Sequence, residues 1–383
     1  MTDAIQTKDN HAKGRLLSLD ILRGADLAML VLIQPVIWAW LDTLRPAQGT
    51  FLAFIYSQIE HLPWEGFCFW DIIMPLFMFM SGITIPFAMA KYKTGRASVD
   101  FHFYRRILKR FVVLWVLGMF CQGNLMDLDI HTLKLFSNTL QSIAVGYVVV
   151  ALLYALTSLR TQIAVVTLCF LAYIAVFAVW GGMDFTIGQN VCQQIDNDVL
   201  GHFRDGVIWQ GDKWSFDPTY NYTWLLSSFN FIVTVYLGCL AGYILKGTAT
   251  EQTKLRRLVI SGAVLILAGL AMHPVIPIIK HIWSSSMTLF SGGICFLLMA
   301  LSYYLVDIKK RRKHILWLKY YGMNSLAAYC LIHIPVDSVT DCFFHGFRQW
   351  MGPYYIVLQT FVEVMVIYYI VRWMYRKQIF LKA

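Results

Sequence analysis

Charged residues are scarce in this sequence. Only 14% of its 383 residues are Asp, Glu, Lys or Arg, against 58% hydrophobic, a balance too apolar for an ordinary soluble domain. Paired, metal-type cysteines are lacking as well. The eight cysteines, at 68, 121, 169, 192, 239, 295, 330 and 342, include no CxxC pair and no ligand-like cluster, so neither a zinc site nor a redox motif is expected, and most read as small core residues. No fixed-period repeat, low-complexity tract or composition break divides the chain, which leaves one membrane domain over residues 1–383. The mark of a secretory signal, a short apolar core with a small-residue cleavage site, is missing too. The polar stretch MTDAIQTKDNHAKGR instead precedes a long apolar run, which is expected to stay as a first span.

Long hydrophobic runs are what the chain has in abundance. A membrane-crossing helix needs about 20 apolar residues, and that rule marks spans at roughly Leu22–Trp40, Phe67–Ala90, Ile107–Gly123, Leu140–Leu156, Ile163–Trp180, Leu225–Leu245, Leu258–Val275, Met287–Val306, Leu316–Ile334 and Tyr355–Tyr375. The expected fold is an all-α, polytopic transmembrane helix bundle of about ten spans, or eleven helices if the run FLAFIY (Phe51–Tyr56) forms one of its own. Net charge is +10. With the N-terminus cytoplasmic, 26 of the 32 Lys and Arg fall in inner segments, and only Arg45, Lys134, Arg204, Lys213, Lys280 and Arg348 fall outside. The basic surplus therefore reads as topology, with both termini cytoplasmic, and not as a nucleic-acid surface. The loop at about residues 181–224 then faces outward. Its six aspartates and several aromatics suit either a solvated cap or a polar ligand platform.

Within this apolar chain, HLPWEGFCFWDIIMPLFMFMSG (His61–Gly82) places an aspartate, Asp71, just inside a span. An unpaired carboxylate in hydrocarbon costs several kcal/mol unless it meets a partner or a wet cavity. Pro75, Gly82 and Pro86 interrupt the same span, and the backbone groups they free favour a cavity-lining position. His61, ten residues before the acid, is the side chain best suited to move protons near neutral pH, and Asp71 can orient its ring.

These segments, with RLLSLDILRGADLAMLVL, NTLQSIAVGY, FDPTYNYTWLLSSFNFIVTVYLGCLAG, IWSSSMTLFSGG and YYGMNSLAAYCLIH in the same order, resemble the heparan-alpha-glucosaminide N-acetyltransferase family of transmembrane acyltransferases. The resemblance runs from about Arg15 to His333. It implies transfer of an acetyl group from cytosolic acetyl-CoA, as co-substrate and without a metal, to the amino group of a terminal glucosamine beyond the membrane. It also implies that His61 is the active-site histidine and Asp71 its motif acid. Gln34 stands where the family often has an asparagine, so an amide is retained, followed by a longer insertion before His61.

On this resemblance Gln34, Trp64, Trp283 and Asn324 are expected to hold the saccharide. Asp20, Arg23, Arg105, Arg106, Gln141 and Ser285 are expected to hold acetyl-CoA, with Lys109 and Arg110 beside them in YRRILKR. Each has a structural alternative: positive-inside clustering for the basic group, a same-face ion pair for Asp20 and Arg23, and interhelical hydrogen bonding for the polar residues. His333 reads as an interfacial residue. A hydroxyl-directed acyltransferase and a proton-coupled transporter remain as rival readings. The expected partners are acetyl-CoA, an amino-sugar acceptor and lipid, with a homodimer and a Cys192–Cys342 disulfide left open. The expected location is a bacterial inner membrane.

Overall fold

A computed structural model of the chain describes residues 16–95, 99–334 and 337–381. Lys8, Lys13, Arg15, Arg96 and Lys382, counted above as inner charges, lie outside the described residues.

The first apolar run forms α1 (Leu17–Ala28), a π-turn over Met29–Ile33 and α2 (Gln34–Leu44). Pro35 accounts for the turn, because it lacks the N–H that would bond back to Val31, and a widened turn absorbs the lost register. The FLAFIY run opens a separate short helix, α3 (Phe51–Ile59), whose start is fixed by Thr50 Oγ1 accepting from the Ala53 N–H at 3.2 Å. A 3₁₀ turn over Phe69–Ile72 then enters α4 (Ile73–Lys93), followed by α5 (Phe101–Gln122), α6 (Thr139–Leu156) and α7 (Leu159–Val179). The 181–224 segment carries α8 (Val191–Leu200) and a hairpin of β1 (Val207–Gln210) and β2 (Lys213–Phe216). Gly211, at φ +64°, meets the demand for positive φ in this two-residue turn. After it come α9 (Ser227–Lys246), α10 (Glu251–Met272), α11 (Ser285–Tyr303), α12 (Leu318–Met323), α13 (Ser325–Leu331), α14 (Asp337–Phe344), α15 (Arg348–Met351) and α16 (Tyr355–Arg376).

Among the described residues, eight helical stretches are long and apolar enough to cross a membrane. Two of the ten expected spans differ. The helix expected at Ile107–Gly123 is present as α5, a helix of 22 residues, but its first half carries Arg105, Arg106, Lys109 and Arg110. The run expected at Leu316–Ile334 is broken at Asn324, which takes φ −115°, ψ 36° and divides it into α12 and α13. Among the described residues, the all-α expectation gives way at the small hairpin and at two isolated β-bridges. Cys192 is buried with its thiol 3.6 Å from the Tyr173 hydroxyl, whereas Cys342 is exposed and free, so no disulfide joins them.

The centre of the bundle is the pair α4 and α9. Each is 72% buried over its apolar window, against 22% for α7 and 17% for α10. Their low amphipathicity follows from this position, since a helix enclosed all round needs no polar face. The two helices meet at glycines. A Cβ at Gly82 would collide with the Val235 carbonyl, and one at Gly238 with the Phe79 carbonyl. Such close backbone approach is the usual reason for small residues at a membrane-helix crossing. The Pro86 carbonyl, one turn further along α4, accepts from Lys246 Nζ at 2.6 Å.

Gly238→Val is therefore expected to destabilise the bundle by about 1–3 kcal/mol or more, the range for overpacking a closed contact. Gly346→Ala, where a Cβ meets nothing within 4 Å, should be near neutral. Thermal melting of the detergent-solubilised protein checks the pair, and equal midpoints would refute the crossing.

Candidate active site

Asp71 occupies a position made for a carboxylate. It lies at the start of the 3₁₀ turn that enters α4, where unpaired N–H groups and the helix dipole favour negative charge. Its Oδ2 accepts from the Cys68 backbone N–H at 3.0 Å and from the Cys68 thiol at 3.1 Å. Its Oδ1 is 2.8 Å from His61 Nδ1 and 3.3 Å from Lys280 Nζ. The acid is 2% exposed, and Lys280 is 7% exposed, so both charges rely on each other and on their hydrogen bonds.

Backbone pairing brings Lys280 to this point. Gly66 N–H donates to the Ile278 carbonyl at 2.8 Å, and Glu65 and Ile279 form an isolated antiparallel bridge. The segment between α10 and α11 is thereby laid along the loop that carries His61. Ser284 shapes it further: its hydroxyl accepts from the Ile279 N–H at 3.1 Å and donates to the Pro277 carbonyl at 2.7 Å while capping α11. The Thr223 N–H, from the 181–224 segment, bonds to the His281 carbonyl at 3.0 Å. Three parts of the chain converge here.

Lys280 Nζ lies 2.8 Å from His61 Nδ1 and 3.1 Å from Nε2. With Nδ1–H donating to Asp71, Nε2 carries the lone pair and accepts from the ammonium. Burial holds the His61 imidazole below its ordinary pKa; the Lys280 charge adds to that effect and the Asp71 hydrogen bond opposes it. The ring is thus neutral near pH 7 and able to take up a proton. Burial lowers Lys280 as well. His281 is pushed down to about 4, by burial first and then by the Lys280 charge. Burial, with the Asp71 carboxylate adjacent, raises the Cys68 thiol to about 11, which keeps it unreactive. The ligand atoms of His61, Cys68 and Asp71 lie within 4.8 Å of one another, a spacing compatible with a metal. The Lys280 ammonium stands against two of these groups, so an ion there would have to displace it.

His61 and Lys280 face a cavity of about 350 Å³, within the size range of small-molecule sites. Trp70, Tyr222, Trp224 and Tyr329 give it an aromatic lining, with Asn138 and Asp205 among its polar groups. The 181–224 segment supplies Asp205, Tyr222 and Trp224, and it is held in place by a Lys134–Asp205 ion pair at 2.6 Å and by Asp196, which accepts from the Trp224 and Leu225 N–H groups at 2.6 and 3.0 Å. An open depression on the other side of His61 is lined by Gln34, Trp38, Glu60 and Trp70.

His61, Asp71 and Gln34 therefore come together. Trp64 sits behind them, with its indole N–H on the Phe185 carbonyl at 2.9 Å and its ring stacked on His281 at 5.6 Å. Trp283 is buried, at φ 48°, with its indole N–H on Thr234 Oγ1 at 3.1 Å. Ser285 lies next to it, 3.4 Å from Asn230 Nδ2. Gln141 is buried behind the cavity wall, accepting from the Ser137 N–H and from Asn138 Nδ2, both at 2.9 Å, and donating to the Leu135 carbonyl. Asn324 is fully buried at the α12–α13 break, and neither amide atom has a partner. Asp20 and Arg23 lie on α1, Asp20 being about 20 Å along the helix from Gln34. Arg105 and Arg106 are exposed near the start of α5, and Arg106 is about 24 Å from Gln122 in the cavity wall at the helix's other end.

Lys280 went unsingled in the sequence, and its signal there was a lone cation within the apolar run VIPIIKHIW. Asp26, within RLLSLDILRGADLAMLVL, is buried on α1 with both oxygens unpartnered. No family model matches the chain, and no curated protein matches it.

The charge arrangement makes two opposed expectations. Lys280→Met should raise the pKa of His61 by removing a neighbouring positive charge, and Asp71→Asn should lower it. The pH dependence of diethylpyrocarbonate modification at His61, read by peptide mass spectrometry, checks both signs. Movement of the two variants in the same direction would overturn the assignment.

Proposed function

We propose that the protein is a transmembrane acetyltransferase that moves an acetyl group from acetyl-CoA to the amino group of a glucosamine or glucosamine-ended saccharide. The reading is supported by the ordered motif resemblance to the heparan-alpha-glucosaminide N-acetyltransferase family. The observation that carries it is the 2.8 Å His61–Asp71 contact at the edge of an aromatic-lined cavity. Aromatic faces suit the apolar faces of a sugar ring, and a neutral imidazole suits an amine that must lose a proton to react.

In this mechanism the amine nitrogen attacks the thioester carbonyl carbon. His61 Nε2 takes the amine proton as the N–C bond forms, and Asp71 stabilises the imidazolium through Nδ1–H. The C–S bond then breaks, and the imidazolium returns its proton to the departing thiolate. Lys280 has two roles: it adds to the burial that keeps the resting imidazole neutral, and it offers positive charge near the oxyanion of the tetrahedral intermediate. For Nε2 to act, its hydrogen bond from Lys280 must give way to the substrate amine. Direct transfer in one shared cavity is favoured over an acetyl-histidine carrier because it needs a single geometry. The full proposal has about ten spans with both termini cytoplasmic, acetyl-CoA drawn from that side and the acceptor from the other, in a bacterial inner membrane.

Purified protein given radiolabelled acetyl-CoA should label glucosamine and a glucosamine-ended disaccharide and leave an amine-free sugar unlabelled. His61→Ala should lower the rate by about 10²-fold or more, the usual contribution of a general base, with its melting midpoint retained. Labelling of the amine-free sugar, or full activity in folded His61→Ala, would refute the proposal.

A further inference from the structure

We propose that Cys121 and Cys330 are a disulfide-forming pair that pins α13 to α5 in the wall of the cavity. Cys121 lies in the last turn of α5 and Cys330 in the last turn of α13. Each thiol is the other's side-chain hydrogen-bond partner. The flanking residues repeat the contact, since the Tyr329 hydroxyl donates to Gln122 Oε1 at 3.3 Å. Two adjacent links thus join the same two helix ends, one polar and one between sulfurs. Both cysteines are half-buried, whereas Cys68, Cys192, Cys239 and Cys295 are buried in the core. The pair is therefore within reach of a reagent while remaining in register.

What the bond would hold is the cavity itself. Gln122 and Tyr329 both line it, as do Ile332 and His333 just beyond Cys330. Helix α13 has only seven residues and follows the Asn324 break, so its own hydrogen bonding gives it little rigidity. A covalent tie to the 22-residue α5 would fix this part of the wall. The oxidant required is a disulfide, either a small molecule or a protein. One thiolate of the pair attacks it, giving a mixed disulfide and releasing one thiol. The second thiolate displaces the other half as a second thiol. Two protein S–H groups and one external disulfide become one protein disulfide and two external thiols.

The pairing does not depend on the acyl-transfer reading, because its readout is covalent. Full-length protein in detergent is treated with glutathione disulfide, alkylated without reduction, digested and analysed by mass spectrometry. The expected product is a linked peptide containing Cys121 and Cys330, lighter by two hydrogens than its two parts, carrying no glutathione and lost on dithiothreitol treatment. Cys121→Ser should abolish that peptide and leave Cys330 alkylated or glutathionylated. Oxidation should raise the melting midpoint of the wild type by several degrees, reversibly, and leave Cys121→Ser unmoved. Separate modification of both thiols with no linked peptide would overturn the pairing, and a linked peptide with an unmoved midpoint would overturn the pinning.

Discussion

One buried carboxylate organises one end of this bundle. Asp71 sits where hydrocarbon would penalise it by several kcal/mol, and the surrounding chain is arranged to remove that penalty. The helix start supplies an N–H, Cys68 a thiol, and His61 and Lys280 a ring nitrogen and an ammonium. Each partner comes with its own support: a loop for His61, a capped helix for Cys68, and a backbone-paired segment for Lys280. The network is nearly closed, and the side of His61 that faces the cavity is where it opens. A charge pair buried this well specifies geometry more than it adds stability. Geometry is what proton transfer needs.

The bundle divides into parts with different demands. The enclosed pair α4 and α9 is held by backbone contact at glycines and leaves little room for movement. The cavity wall is built differently, from the end of α5, the short α13 and the aromatic 181–224 segment. Asn324 at the α12–α13 break has two unpartnered amide atoms in a buried position, a local polar deficit of the kind found where a structure accommodates a ligand or water. The rigid centre thus fixes the acid, and a less regular rim surrounds the space in front of it.

How far the sequence disclosed this depends on distance along the chain. Most helices were legible because apolar runs of span length leave few alternatives. The His61–Asp71 pair was legible because its members are only ten residues apart and flank one helix start. Lys280 was not, since 219 residues separate it from His61 and no periodicity encodes which loop pairs with which. The broken run at Asn324 read as one span because hydropathy averages over a single amide. Gln141 has a local explanation in the sequence. NTLQ places an asparagine cap three residues before a glutamine; Asn138 Oδ1 accepts from the Gln141 N–H at 3.2 Å, while Gln141 Oε1 turns to the Ser137 N–H at 2.9 Å. Arg105 and Arg106 belong to the far end of α5, which the span assignment already implied.

The separation of Lys280 from Asp71 has a consequence for biosynthesis. The ribosome delivers Asp71 to the membrane long before it has made Lys280, and the intervening chain includes α5 through α10. During that interval the acid has its local partners, Cys68 and His61, but not its ammonium. The charge arrangement around the acid is therefore complete only once the segment carrying Lys280 has folded back against the His61 loop.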